Sequence, residues 1–131
     1  MKKIIIILII FLYSQNTYSQ YAGAYFERGK EKANSKDYYG AIQDYNKAIE
    51  LNQDDPYIYF YRGTVYIQLE KYNEAISDLN KCLTIVSSNR EKFKSLTEES
   101  YHLIGLSKFG LKDYKSAVLY FTKALEFEWC K

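Results

Sequence analysis

From Ala22 onward, apolar side chains return every three or four residues, the period of a helix with one buried stripe. Ala41, Ile42, Tyr45, Ala48 and Ile49 stand at i, i+1, i+4, i+7 and i+8, a broad helical face. The stripes are interrupted at Asn52 to Asp55 and at three short turns, Ser35-Lys36-Asp37, Leu69-Glu70-Lys71 and Leu111-Lys112-Asp113. Pro56 suits a first helical turn, where its missing N–H costs nothing. The pattern predicts six helices, over 22–35, 38–51, 56–69, 72–86, 89–110 and 114–127.

The first nineteen residues follow a different pattern. Lys2 and Lys3 precede an unbroken apolar run from Ile4 to Leu12, and a polar stretch from Tyr13 to Gln20 follows. A positive end, a short apolar core and a polar segment with small residues make a secretory signal. Thr17 and Ser19 fit the small-residue positions before a cut, so residues 1–19 are expected to leave and Gln20 to become the N-terminus. The expected location is the periplasm or outside the cell. The alternative is an uncut anchor. Nine residues span only about 13 Å as a helix, against about 30 Å of hydrocarbon.

The chain also repeats itself. Ala22-Gly23-Ala24-Tyr25-Phe26-Glu27-Arg28-Gly29 matches Pro56-Tyr57-Ile58-Tyr59-Phe60-Tyr61-Arg62-Gly63, and the shift is thirty-four residues. At the same shift, Asp37-Tyr38, Ala41-Ile42, Asp44 and Asn46-Lys47-Ala48 match Lys71-Tyr72, Ala75-Ile76, Asp78 and Asn80-Lys81-Cys82. A third copy carries Tyr101, Gly105, Asp113-Tyr114, Ala117-Val118, Phe121 and Lys123-Ala124-Leu125, forty-two residues beyond the second. Gly29, Gly63 and Gly105, with Ala41, Ala75 and Ala117, allow two helices to cross closely. Tyr38, Tyr72 and Tyr114 are expected to fill the wider part of each crossing.

These residues resemble the tetratricopeptide repeat. The resemblance implies an all-α fold, a right-handed superhelical solenoid of three helix-turn-helix hairpins. The repeats are then 22–55, 56–89 and 98–131, with an insertion at 90–97. Ser88-Asn89-Arg90-Glu91 reads as a capping box, so the insertion is expected to lengthen the next helix. A loop with a restart at Thr97 is the alternative.

The resemblance also implies a non-catalytic protein-binding module whose first helices line a concave groove. Carried over by repeat position, the groove residues are Phe26, Lys30, Ala33 and Asn34 in the first copy. The second offers Tyr57, Phe60, Thr64, Ile67 and Gln68, and the third Glu99, His102, Leu106 and Phe109. Such a groove is aromatic and mostly uncharged, suited to an apolar helix or extended peptide. Some family members hold acidic chain termini with a clamp of lysine, asparagine and arginine. Here the clamp positions carry Phe26, Lys30, Tyr61, Glu99 and Leu103, so that clamp is missing.

The last predicted helix bears Leu119, Phe121, Leu125, Phe127 and Trp129, and no later segment of this sequence covers its outer side. Phe121, Leu125, Phe127 and Trp129 therefore form a second candidate face, for a partner or a second copy, with Trp129 as anchor. Dimerisation through this helix is the homomeric version of that expectation.

Composition narrows the classes of activity. The net charge of +2 includes Lys2 and Lys3, and without residues 1–19 the acidic and basic side chains balance. No basic block offers a grip on nucleic acid. One histidine, His102, and two distant cysteines, Cys82 and Cys130, make no zinc site. Cys82 sits where the repeat needs a small buried residue; a Cys82–Cys130 disulfide is the alternative. The glycines recur once per repeat rather than in a phosphate loop. No metal, no small-molecule cofactor and no enzyme activity are expected.

Overall fold

The computed structural model describes residues 1–129, apart from the side chains of Gln15, Asn16 and residues 127–129. Every regular element among them is helical: α1 (Lys2–Asn34), α2 (Tyr38–Leu51), α3 (Pro56–Gln68), α4 (Tyr72–Val86), α5 (Lys94–Gly110) and α6 (Tyr114–Trp129). The chain divides into two units, residues 1–53 and 54–131. The first is the hairpin of α1 and α2. The second holds the hairpins α3–α4 and α5–α6, and α5 packs against α4 as well as α6.

Each hairpin turns in the same way. After the first helix, Lys36, Glu70 and Lys112 adopt positive φ angles of 67°, 57° and 62°. Lys36 N–H donates to the Ala33 carbonyl at 3.0 Å, and Asp37 N–H to that of Lys32 at 2.9 Å. Glu70 with Lys71 and Lys112 with Asp113 repeat both bonds. This pair of bonds is the Schellman motif, which satisfies the orphan carbonyls of a helix end. The next helix then starts on a side-chain cap where one is present. Asp37 Oδ1 accepts from Gly40 N–H at 3.0 Å, and Asp113 Oδ1 from Ser116 N–H at 3.2 Å. Asp55 caps α3 through Tyr57 N–H at 2.9 Å, with Pro56 in the first turn.

Inside each hairpin the glycine faces one large side chain of the second helix. A Cβ on Gly29 would stand 2.6 Å from the Tyr45 ring, one on Gly63 3.1 Å from Leu79, and one on Gly105 2.6 Å from the Phe121 ring. The expectation that alanines make this contact is therefore refined. Ala41, Ala75 and Ala117 are buried, but the nearest side chain to each glycine is the large one, and the Ala75 carbonyl oxygen follows at 3.5 Å from a Cβ on Gly63. Of the three turn tyrosines, Tyr72 packs its ring against Gly110 of α5, and Tyr114 lies edge-on to Phe109 with centroids 5.3 Å apart.

Each of the first two repeats carries an ion pair whose aspartate is buried. Arg28 Nε donates to Asp44 Oδ2 at 2.8 Å, and Arg62 Nε to Asp78 Oδ2 at 2.7 Å. A second bond from Nη2 makes each pair bidentate. Lys32 Nζ adds a contact to Asp44 at 2.8 Å. In the third repeat the corresponding places hold Ile104, fully buried, and Tyr120.

Two expectations about boundaries are corrected. The first helix begins at Lys2 and not at residue 22: the apolar run and the first repeat form one continuous helix, α1. Nothing in the run breaks a helix. The predicted helix over 89–110 starts only at Lys94, after a 3-10 turn at Ser87–Asn89. Ser88 Oγ turns back to the Ile85 carbonyl at 3.4 Å, so no capping box forms. The insertion is thus turn at its start and helix from Lys94.

The candidate binding surfaces

On α1, Phe26 is half-buried against Tyr45, with ring centroids 6.0 Å apart. Lys30 Nζ reaches Glu27 at 3.0 Å and lies 5.3 Å from the centre of the Phe26 ring. Asn34 is exposed at the helix end. Ala33 is half-buried, and the aromatic candidate of α1 is thus partly engaged by the hairpin itself.

On α3 the candidates divide. Phe60 is only 6% exposed, so it belongs to the core and not to a groove. Its ring meets Tyr61 edge-on at 5.6 Å. Tyr57 is exposed but touches Phe93, the residue before α5, at 6.2 Å between centroids. Thr64 donates its hydroxyl to the Tyr61 carbonyl at 2.7 Å, Ile67 is half-buried, and Gln68 is exposed.

On α5, Leu106 and Phe109 are exposed apolar side chains, three residues apart and hence on one face. His102, four residues before Leu106, is exposed on the same side of α5, one turn nearer its start. Its ring sits 5.4 Å from that of Phe121 on α6. There it lines a cleft of about 640 Å³ between α5 and α6, together with Ser95, Glu98, Glu99, Phe121, Ala124 and Leu125. The cleft brings together two residues of the proposed second face, Phe121 and Leu125. The side chains of the other two, Phe127 and Trp129, lie outside the described residues. Ser95, Glu98 and Ala124 were not among the expected site residues. Ala124 reads from sequence only as a small packing residue and Glu98 as an acid early in a helix, whereas Glu99 was expected in the groove.

Cys82 is fully buried on α4, with its Sγ 3.7 Å from Ser100 Oγ on α5. Burial pushes the thiol up to about 11, so it stays protonated and inert at neutral pH. Cys130, the other half of the disulfide considered above, lies outside the described residues. Among the described residues, no three of His, Cys, Asp and Glu come together as a metal site.

Known proteins match over most of the chain. A family described as "Tetratricopeptide repeat" matches residues 54–127, and one described as "TPR repeat" matches residues 22–69. Hsp70-Hsp90 organizing protein 1 of Arabidopsis thaliana is 36% identical over 103 residues, covering 76% of this chain and 18% of that protein. Heat shock protein STI1 of Saccharomyces cerevisiae is 31% identical over 108 residues, covering 82% of this chain and 17% of that protein. The chain thus spans about a fifth of these relatives. The N-terminal domain of stress-induced protein-1 from C. elegans superposes with a TM-score of 0.77 at 24% identity, covering 84% of this chain and 86% of that one. The first TPR of Spaghetti (RPAP3), bound to HSP90 peptide SRMEEVD, gives 0.73 at 25% identity, covering 86% and 83%. Three glycine-centred hairpins and these matches together show that the chain belongs to the tetratricopeptide repeat family, an all-α fold used as a protein-interaction module.

Proposed function

We propose that this chain is a non-catalytic adaptor that takes an apolar peptide or helix on the exposed faces of its first helices. The observation that carries the reading is the pair Leu106 and Phe109, large apolar side chains held in water on a rigid helix. The solved relative bound to the peptide SRMEEVD makes peptide capture a use of this fold. The places where an acidic terminus would be clamped hold Phe26, Tyr61, Glu99 and Leu103 here, and Lys30 is already engaged with Glu27. An uncharged ligand suits such a surface better than an acidic one. Fluorescence anisotropy tests this. Labelled SRMEEVD is expected to show no saturable binding below about millimolar concentration. A Leu106→Ser, Phe109→Ser double variant is expected to lose partners that the parent protein captures. Tight binding of SRMEEVD would sink the uncharged-ligand reading.

The same proposal places the adaptor outside the cytoplasm. Ile4 to Leu12 are each 47% to 66% exposed, all round the helix. A surface of this kind demands a membrane, a translocation channel or removal. A cut before Gln20 removes it. The second reading, an anchored adaptor, draws on the unbroken run of α1 from Lys2 to Asn34. Among the described residues no helix is long and apolar enough to cross a membrane. Intact mass spectrometry decides: a mass beginning at Gln20 in the extracytoplasmic fraction supports export, and a full-length mass in membranes supports the anchor.

A further inference from the structure

The cleft between α5 and α6 has an occupied counterpart in the same unit. Forty-two residues earlier, Leu79, Cys82 and Leu83 hold the places of Phe121, Ala124 and Leu125. There the space is filled by α5 itself. Ser100 closes over Cys82 at 3.7 Å, Phe93 meets Tyr57, and Tyr72 packs into Gly110. A helix with a small residue at its centre is thus the shape that this repeat surface accepts. In the α5–α6 cleft, Leu125 is 54% exposed and the floor is apolar.

The wall differs in charge. Where α3 presents Pro56, Tyr57 and Phe60, α5 presents Glu98, Glu99 and His102. Among the described residues no cation lies within ion-pair distance of Glu98 or Glu99. An apolar floor beside two unmatched carboxylates complements an apolar helix edged with positive charge.

We propose that the α5–α6 cleft seats an amphipathic helix of a partner protein, with a small residue over Ala124 and lysine or arginine beside Glu98 and Glu99. The proposal rests on the reading of this chain as a protein-binding module and names the class of partner for its last hairpin. The helix packs as α5 packs on α4, and its basic edge replaces the aromatic contacts made there. Charge sets its direction and register, and the buried apolar face sets most of its affinity.

Two labelled synthetic helices of about five turns test this against the full chain by fluorescence anisotropy. Both carry a leucine and alanine face; one is edged with lysine, the other with glutamate. The lysine helix is expected to bind about tenfold or more tightly and to weaken with added salt. Leu125→Glu, at a position 54% exposed, is expected to keep the parent circular dichroism spectrum and to abolish binding. Glu98→Lys with Glu99→Lys is expected to reverse the preference toward the glutamate helix. Equal binding of both peptides, or an unreversed preference, overturns the proposal. Self-association of the protein alone that Leu125→Glu disperses also overturns it, in favour of a second copy. Binding that survives Leu125→Glu but is lost in Leu106→Ser, Phe109→Ser overturns it while leaving the adaptor reading standing.

Discussion

Gly105 lies directly beneath Phe121: a Cβ at this glycine would stand 2.6 Å from the ring, well inside van der Waals contact. The ring in turn lies tilted beside His102 and forms part of the α5–α6 cleft. One missing methyl group therefore sets both the approach of two helices and the depth of a candidate docking surface.

Gly105→Ala is expected to destabilise the protein by about 1–2 kcal/mol, because overpacking outweighs the gain of about 1 kcal/mol in helix propensity. Gly23→Ala provides the contrast. It sits within α1 with nothing within 4 Å of its would-be Cβ, so it is expected to stabilise by about 0.5–1 kcal/mol. Urea titration of the two variants checks the opposite signs.

Asp78→Asn is expected to cost more than Asp44→Asn. The side chain of Arg62 is 18% exposed and would be left with a buried, poorly matched charge, costing about 2–4 kcal/mol. Arg28 is 55% exposed and can rehydrate, so its loss of partner costs less. Equal losses in denaturant melts would show that solvent access does not govern these pairs.

Hydrogen bonding from Arg28, aided by Lys32, holds the Asp44 carboxyl at about 2, below the usual carboxylate range. A depressed folded-state value means the stabilisation is present above about pH 4 and is lost as pH falls toward 2. Asp44→Asn is expected to flatten that part of the stability–pH curve and leave neutral-pH behaviour otherwise unchanged in slope. A parallel acid limb in the variant would refute the assignment.

Lys36, Glu70 and Lys112 each hold the left-handed backbone that ends a first helix. Glycine adopts this conformation without a Cβ clash. Each substitution, Lys36→Gly, Glu70→Gly and Lys112→Gly, is expected to stabilise by about 0.5–1 kcal/mol, and a thermal melt of the triple variant tests the sum. A fall in melting temperature would mean that these side chains make contacts worth more than the strain.

Much of the fold was legible because it is local and repeated. The helix periodicity, the turns at Ser35-Lys36-Asp37 and its two counterparts, and the glycine spacing each act within one hairpin. The binding surfaces were less legible, because exposure depends on what packs opposite. Phe60 and Tyr57 occupy neighbouring positions on α3, yet the first is core and the second is surface. His102 lies one turn from Leu106 on α5, and its ring also meets Phe121 across the hairpin, a contact that spacing within α5 does not announce.

By itself, then, the sequence determined the six helices, their pairing and the family, since each hairpin writes its own contacts into a short stretch of chain. The tertiary structure alone decided that Glu98, Glu99 and His102 share a cleft with Phe121, Ala124 and Leu125. Those residues are about twenty apart in the chain. Only the crossing of α5 on α6, closed to the distance that Gly105 permits, brings their side chains to one surface.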